Sequence, residues 1–326
     1  MLRGAAASAA LLATGCAAPP TVATRMLRLG AIGSDALPAD GSRPLGEQDI
    51  NEALREEGFV AGKNMTIEWR QVQGNSDLFL VFAHELVNLP VDILITSTGA
   101  GALAAKNATS TIPIVINGCP DPIEQGIIQS YARPGGNVTG SAFSNVSETI
   151  KRLELLREAF PAISRVVVIG NVAGNVFFPP LLAELRKAAA PMGIEVGAPE
   201  VRTDDDVQRA LEGAIGSDAL LALGNTLTFQ NIPRIVSFAA AQRLPAVYSQ
   251  DAFVTAGGLM SYGSDRREGR RRVASFVRRI ADGASPAILP VELPTKFDLA
   301  VNLATAGRAG FSLPASVMAR ATKVIP

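Results

Sequence analysis

Residues 92–117 read DILITSTGAGALAAKNATSTIPIVIN. Two short apolar runs rich in isoleucine flank a small polar loop and an alanine-rich segment that favours a helix. Buried parallel strands have this composition, and a helix between two of them makes a strand–helix–strand unit. The stretch therefore predicts an α/β fold built on a parallel sheet.

The same alternation of apolar runs and helical segments extends over the rest of the 326-residue chain. A turn-rich stretch at residues 133–137 precedes the last strand of a first series, and the pattern then restarts. We therefore predict an α/β chain with two doubly wound parallel sheets. The predicted strands are 27–32, 65–70, 92–96, 112–117 and 138–142, then 165–170, 194–199, 219–223, 246–249 and 259–262.

Two helices can be predicted in detail. Ser147 is a predicted N-cap, because Glu148 follows in the first turn and apolar residues recur beyond it. Residues 265–282 have an apolar face and arginines on their other faces. The arginines form either a basic docking surface or a solvated face balanced by nearby carboxylates, and we favour the solvated face. The carboxylates are Asp265, Glu268 and Asp282, and the arginines are Arg266, Arg267, Arg270, Arg271, Arg272, Arg278 and Arg279.

Composition argues against several classes of function. Hydrophobic residues make up 48% of the chain and the formal net charge is +0, so neither disorder nor nucleic-acid binding is indicated. The one histidine, His84, lies on the polar side of a predicted helix, which leaves little for metal binding or acid–base catalysis. Cys119 is predicted to be buried and inert. We expect no metal and no cofactor.

Residues 1–26 are predicted to be a signal peptide and linker. Arg3 is followed by an alanine- and leucine-rich run that is shorter than the roughly 20 residues a membrane span needs. Cys16 follows small residues directly and resembles the lipidated cysteine of bacterial lipoproteins. We therefore expect export to the periplasm, with Cys16 as the candidate lipidation site.

The loops that follow the strands carry the candidate site, because ligands of open parallel sheets bind at the carboxyl ends of the strands. Ser97, Thr98 and Gly99 start a helix whose N–H groups attract an anion, although the hydroxyls could simply cap that helix. Asp121 either caps a helix that has Pro122 at its first position or faces the cleft and pairs with an ammonium group. The other candidates in the first half are Ser34 and Asn117.

The second half repeats this arrangement. Polar residues follow its strands at Asn171, Asn225, Tyr248 and Asp251, and Asp251 is a second candidate partner for an ammonium group. Aromatic rings near these loops could sandwich an apolar ligand or could belong to the core. They are Phe177, Phe229, Tyr248 and Phe253.

An enzyme is the alternative function. Gly99-x-Gly101-x-x-Ala104 lies between a predicted strand and a predicted helix, as in the dinucleotide-binding fingerprint of an NAD(P)-dependent enzyme. However, Asn117 ends the next strand, where such an enzyme would carry an acidic residue. Nucleophile elbows, zinc-binding helix motifs and phosphate-binding loops are absent from the sequence. We therefore favour a binding protein over an enzyme.

Short motifs in a fixed order give a more specific indication. They are residues 102–106 (ALAAK), 111–115 (TIPIV), 133–140 (RPGGNVTG), 152–158 (RLELLRE), 245–248 (PAVY), 257–263 (GGLMSYG), 289–291 (LPV) and 294–299 (PTKFDL). Together they resemble the family of ABC-transporter substrate-binding proteins that includes tryptophan and tyrosine binders. The resemblance extends over nearly the whole chain after the leader.

The resemblance implies the type I periplasmic-binding-protein fold, in which two lobes are joined by three crossovers and enclose a ligand cleft. The implied crossovers lie near residues 142–144, 261–264 and 291–294. The implied first lobe comprises residues 27–142 and about 264–290, and the second comprises residues 143–263 and about 291–326.

The resemblance also implies a non-catalytic, monomeric receptor in the periplasm. Such a receptor captures a small organic solute, such as an amino acid or an aromatic carboxylate, by closing its lobes. Its expected partners are the solute, an ABC permease and the ATPase of that permease. We expect no nucleic-acid partner, and membrane contact only through a lipid anchor.

Overall fold

The computed structural model describes residues 26–34, 42–73, 75–170 and 178–326. The predictions for the leader, including Cys16, and those for Asn171 and Phe177 lie outside these residues. Within the described ranges, none of the helices has both the length and the apolar character that crossing a membrane requires.

Five parallel strands form the first sheet: β1 (Leu27–Gly33), β2 (Met65–Gln71), β3 (Ile93–Thr96), β4 (Ile114–Pro120) and β5 (Val138–Phe143). Their order across the sheet is β2-β1-β3-β4-β5. Each matches a strand predicted from the sequence. The central strands are recognised by an apolar run, and the edge strand β2 by its alternation of buried and exposed residues.

Helices cover both faces of the first sheet. They are α1 (Leu45–Glu56), α2 (Leu78–Val87), α3 (Gly99–Ala108) and, from much later in the chain, α10 (Arg266–Ala281). Successive side chains of a strand point to opposite faces, so the sheet has two cores. Leu94 and Ile114 pack with α2 and α3, whereas Ile95 and Val115 pack with α1 and α10.

The second sheet has seven strands. They are β6 (Arg165–Ile169), β7 (Glu195–Gly197), β8 (Ala219–Ala222), β9 (Ala246–Tyr248), β10 (Met260–Ser264), β11 (Phe297–Asn302) and β12 (Lys323–Ile325). Their order is β12-β11-β10-β9-β8-β6-β7, and β10 and β11 pair antiparallel. The predicted two-lobed α/β fold is confirmed, although this sheet is larger than predicted and not wholly parallel.

The helices associated with the second sheet begin directly after β5. They are α4 (Asn145–Ala159), α5 (Phe178–Ala189), α6 (Asp204–Gly213), α7 (Thr226–Gln230), α8 (Ile232–Ala241), α9 (Asp251–Thr255), α11 (Leu303–Ala309) and α12 (Ala315–Met318). The N-cap of α4 is Ser144, whose Oγ accepts a hydrogen bond from the N–H of Ser147 at 3.3 Å. The prediction that Ser147 is the cap is wrong because the helix starts one turn earlier.

The chain crosses between the two sheets at three places: from β5 to α4, from β10 to α10, and from α10 to β11. Backbone hydrogen bonds connect these segments. The N–H of Ala142 donates to the carbonyl of Glu292 at 2.9 Å, and the N–H of Asp265 donates to the carbonyl of Lys296 at 3.0 Å. Hydrogen bonds therefore connect the third crossing to each of the other two.

The arginines of α10 do more than form the solvated face that the sequence suggests. Arg270 pairs with Asp49, and Arg271 pairs with Glu56 at 3.1 Å, so both connect α10 to α1. The sequence hides this arrangement because the partners lie more than two hundred residues apart. The predicted balancing by nearby carboxylates holds only for some of the arginines. The other pairs of α10 include Arg272–Glu268, Arg278–Asp282 and Arg279–Glu292.

Candidate functional site: the cleft between the lobes

A cleft of about 1090 Å³ lies between the two sheets. The loops after β1, β3 and β4 line it on the side of the first lobe, and the loops after β8 and β9 line it on the side of the second. These are carboxyl ends of strands, where open α/β sheets bind their ligands. The candidate residues that the structure brings together on this wall are Ser34, Ser97, Thr98, Gly99, Asn117, Asp121 and Asn225.

The start of α3 forms an anion-binding corner of the cleft. Thr98 caps this helix, since its Oγ1 accepts a hydrogen bond from the N–H of Gly101 at 3.0 Å. The cap leaves the N–H groups of Gly99 and Ala100, both on the cleft wall, to be satisfied by a ligand or by water. With the helix dipole behind them, these N–H groups attract a carboxylate. Thr98 is therefore both a cap and a cleft residue.

Asp121 is a cleft residue rather than a helix cap. Its φ of 40° is left-handed, and turns instead of a helix follow Pro122. Its carboxylate accepts a hydrogen bond from the N–H of Asn145 at 3.3 Å, which connects it to the start of α4. Burial raises the pKa of Asp121 above the usual range of an aspartate. A half-buried carboxylate thus stands on the cleft wall beside the first crossing.

Two predicted ligand residues of the second lobe do not line the cleft. Tyr248 is fully buried, and its ring stacks on that of Phe253 at 4.8 Å between centroids. The next residue, Ser249, lies on the cleft wall instead. Asp251 pairs with Lys323 at 2.9 Å, away from the wall. The side chain of Tyr248 points into the core because strand register sets its direction, which the sequence does not show, whereas Asp251 is the first residue of α9.

Aromatic residues line the cleft from both lobes. Phe229 was predicted there, and Phe178 lines the same side. Trp69 and Phe79 line the side of the first lobe. Asn225 precedes α7, the helix that contains Phe229, and caps it by accepting a hydrogen bond from the N–H of Thr228 with its side-chain oxygen at 3.0 Å. The cleft therefore offers aromatic surface from both lobes to an apolar group.

The arginines of the described cleft wall all contact a carboxylate of the protein. Arg152 pairs with Glu148 at 2.8 Å, Arg272 pairs with Glu268 at 3.1 Å, and Arg270 pairs with Asp49. A solute carboxylate must therefore be bound mainly by neutral donors such as the start of α3. Arg152 and Glu148 are 3% and 7% exposed, and burial raises the pKa of Glu148 although the Arg152 guanidinium opposes this shift.

Sequence reasoning missed two groups of cleft residues. Trp69 and Gln71 lie on β2 and not in a strand-end loop, and Glu148 and Arg152 lie in the first turns of α4. A polar Gln71 on the buried side of an alternating strand was the available indication for the first group. The helical i, i+4 spacing of Glu148 and Arg152 indicated an ion pair, but not that the pair is buried.

Cys119 lies next to the cleft residues but does not itself line the cleft. It is 1% exposed, and burial, followed by the charge of Asp121, raises the pKa of its thiol to about 12. The reactive form of cysteine is the thiolate, which is scarce at neutral pH under these conditions. Cys119 is therefore an inert core residue.

Two α/β lobes that enclose a polar cleft with an anion-binding helix start define the class of two-lobed solute-binding proteins. The sequence matches the family described as ABC transporter substrate binding protein over residues 40–325, and the chain belongs to this family. It is therefore a substrate-binding protein and not an enzyme, and the NAD(P)-dependent alternative is not supported. Members of this family bind small solutes outside the cytoplasm and work with the other components of an ABC transporter.

Relatives and solved structures agree with this assignment. The chain is 26% identical over 252 residues to a tyrosine-binding protein of Clostridioides difficile, which covers 77% of this chain and 72% of the relative. A conserved domain protein of Vibrio cholerae has 27% identity and a TM-score of 0.83, over 92% of this chain and 100% of the other. An ABC domain of Streptococcus pneumonia in complex with L-Trp also has a TM-score of 0.83, with 22% identity over 92% and 99% of the two chains, and shows the same fold.

Proposed function

We propose that this chain is the solute receptor of an ABC importer and that it captures an aromatic α-amino acid by closing its two lobes. One observation carries the proposal. A corner that attracts carboxylates, at Gly99 and Ala100, and a carboxylate that attracts an ammonium group, Asp121, stand on the same wall of one cleft. An α-amino acid carries both of the complementary charges.

The rest of the cleft supports an aromatic side chain on this solute. Trp69 and Phe79 line the cleft from the first lobe, and Phe178 and Phe229 line it from the second. The relatives named above for tyrosine and for L-Trp support the same class of solute. Since the rings belong to different lobes, closure around the solute would bury its side chain on both faces.

The location and organisation of the protein follow the same proposal. We place residues 27–142 with about 264–290 in the first lobe and residues 143–263 with about 291–326 in the second. The backbone hydrogen bonds of Glu292 and Lys296 support these boundaries. The working form is a monomer in the periplasm that delivers its solute to a permease, and Cys16 is its lipid anchor.

The proposal is tested by native mass spectrometry of the purified protein, followed by a thermal-shift screen of amino acids, aromatic acids and simple carboxylates. We expect L-tyrosine or L-tryptophan to raise the melting temperature, because a ligand at a hundred times its Kd stabilises the folded state by about 2.7 kcal/mol. Simple carboxylates bind only the corner at α3 and should shift the melting temperature much less. A shift by carboxylates that equals the shift by amino acids would contradict the proposal.

Replacing Asp121 by asparagine is expected to weaken binding of the amino acid by about tenfold or more, because a charge-assisted hydrogen bond to the ammonium group is lost. Asparagine tolerates the left-handed φ of this position, so the fold is retained.

The raised pKa of Asp121 also predicts how binding depends on pH. As the pH falls through this pKa the carboxylate becomes neutral, so wild-type affinity should decline at a higher pH than for an ordinary aspartate, and Asp121→Asn should lose this decline.

Isothermal titration calorimetry between pH 4 and pH 8 measures both effects. Asp251→Asn is the matched control, because Asp251 lies outside the cleft and pairs with Lys323. Its affinity and pH profile should match those of the wild type. If the two variants behaved alike, Asp121 would not be the partner of the ammonium group.

A further inference from the structure

Two polar atoms on the cleft wall of β2 have no hydrogen-bond partner among the residues that the structure describes. They are Trp69 Nε1, a donor, and Gln71 Oε1, an acceptor, and both atoms are buried. Buried polar atoms are almost always satisfied, and leaving one unsatisfied costs free energy. Both residues line the cleft. A group on the solute is therefore a natural partner for them.

The strand presents these two atoms on the same face. Residues 65, 67, 69 and 71 of β2 are more buried than residues 66 and 68, as expected for alternating side chains. Trp69 and Gln71 are two positions apart, so their side chains project from the same face of the strand. A donor and an acceptor on one face match a group that can both accept and donate, such as a hydroxyl.

The orientation of the Gln71 amide is fixed by its surroundings. Gln71 Nε2 donates to Glu47 Oε1 at 2.9 Å, and both side chains are more than nine-tenths buried. A carboxylate only accepts hydrogen bonds, so the NH₂ group must face Glu47 and Oε1 must point elsewhere. The amide also fills the space beside Gly33, where a Cβ would lie 2.3 Å from Gln71 Oε1. Glu47 and Gly33 therefore hold the acceptor in one place.

We propose that Trp69 Nε1 and Gln71 Oε1 form a hydroxyl-binding subsite that selects a solute with a hydroxyl on its side chain. The inference rests on the proposed amino-acid function and deepens it. A site built to hydrogen-bond a hydroxyl rejects the analogue without it, because its own buried polar atoms then stay unpaired. The matched solutes L-tyrosine and L-phenylalanine differ in this one group.

The test is isothermal titration calorimetry of both amino acids against the full protein and its variants. The wild type should prefer L-tyrosine by about tenfold or more. Gln71→Met is similar in shape but removes the acceptor, so L-tyrosine should bind about tenfold more weakly while the affinity for L-phenylalanine stays within about threefold. A purely structural role of Gln71 would lower both affinities together, and that result would overturn the proposal.

Gln208→Met is the matched control, because Gln208 Nε2 also donates to a glutamate, Glu212, at 2.8 Å, but on an exposed face of α6. Gln208→Met should therefore keep the wild-type preference for L-tyrosine over L-phenylalanine. Glu47→Gln is a second variant: glutamine can donate as well as accept, so the Gln71 amide is free to turn over, and the preference should fall several-fold. An unchanged preference in both Gln71→Met and Glu47→Gln would overturn the subsite.

Trp69 provides an independent measurement because it is the one tryptophan of the chain. Saturating L-tyrosine should change its emission more than saturating L-phenylalanine, since the hydroxyl contacts the indole N–H. Equal wild-type affinities for the two amino acids would overturn the subsite and leave the proposed function standing. Failure of both to bind would overturn the proposed function and the subsite with it.

Discussion

Replacing Arg152 by alanine is expected to lower the free energy of unfolding by about 3–5 kcal/mol, because it leaves the Glu148 carboxylate buried without its partner. The Arg152 guanidinium also makes a hydrogen bond to the backbone. Its Nε donates to the carbonyl of Tyr262 at 2.6 Å, which connects α4 to β10. The change thus removes a buried ion pair and a hydrogen bond between these two elements. Urea denaturation followed by circular dichroism measures the loss.

Lys151→Ala is the matched control. Lys151 is the neighbouring residue on α4 and pairs with Glu154 at 2.8 Å, but both side chains are 42% exposed. Exposed pairs contribute little, so we expect a change of at most about 0.5 kcal/mol. The double variant Glu148→Leu with Arg152→Met should recover most of the loss, because no uncompensated charge stays buried. Equal effects of Arg152→Ala and Lys151→Ala would show that burial of the pair has no energetic consequence.

Gly140→Ala is expected to lower the free energy of unfolding by about 4 kcal/mol or more, or to prevent folding to a soluble protein. Gly140 lies within β5 with a φ of 130°, a conformation that residues with a side chain rarely adopt. An added Cβ would lie 2.3 Å from the carbonyl oxygen and 2.6 Å from the nitrogen of Ile116 on β4. Both atoms are backbone, so the clash requires one strand to move. Thermal and urea denaturation measure the effect.

Gly136→Ala tests whether the loss of stability comes from the close contact at Gly140 rather than from replacing a glycine by alanine. Gly136 lies four residues earlier, just before β5, and an added Cβ there meets nothing within 4 Å. The free energy of unfolding of Gly136→Ala should stay within about 1 kcal/mol of the wild-type value. A Gly140→Ala protein as stable as Gly136→Ala would contradict the close approach of β5 to β4. Gly140 also connects β5 to the third crossing, since its carbonyl accepts a hydrogen bond from the N–H of Glu292 at 2.9 Å.

The central strands of both lobes, such as β3 and β8, could be predicted because their burial on two faces leaves a continuous apolar run. β11 and β12 lacked this pattern. Phe297 and Asp298 at the start of β11 are exposed, and β12 has only three residues, with Lys323 and Val324 exposed. β12 is the edge strand of the sheet and β11 lies between β12 and β10, so both acquire their structure from neighbouring strands rather than from their own sequence. The antiparallel pairing of β11 with β10 could not be predicted either, because it depends on how the chain returns from α10.

Some residues of the cleft could also be predicted from the sequence, whereas others could not. Ser97, Thr98 and Asn117 could be placed on the cleft wall because strand ends of parallel sheets meet at one edge. Tyr248 could not be assigned correctly, since a single position separates a buried strand residue from a wall residue. Gln71 was missed because its role depends on Glu47, a partner 24 residues away on another element. Contacts between elements, rather than local composition, decide these cases.

The late position of α10 in the sequence affects how the protein is made. The strands of the first sheet are complete by residue 143, but one of the helices that cover it ends at residue 281. The chain emerges from its N-terminus, so the face with Ile95 and Val115 lacks this cover until residue 281 has emerged. The first lobe can therefore finish folding only after most of the second has been synthesised. A chain that terminates before Arg266 would lose stability in its N-terminal half, although the missing residues lie at its C-terminal end.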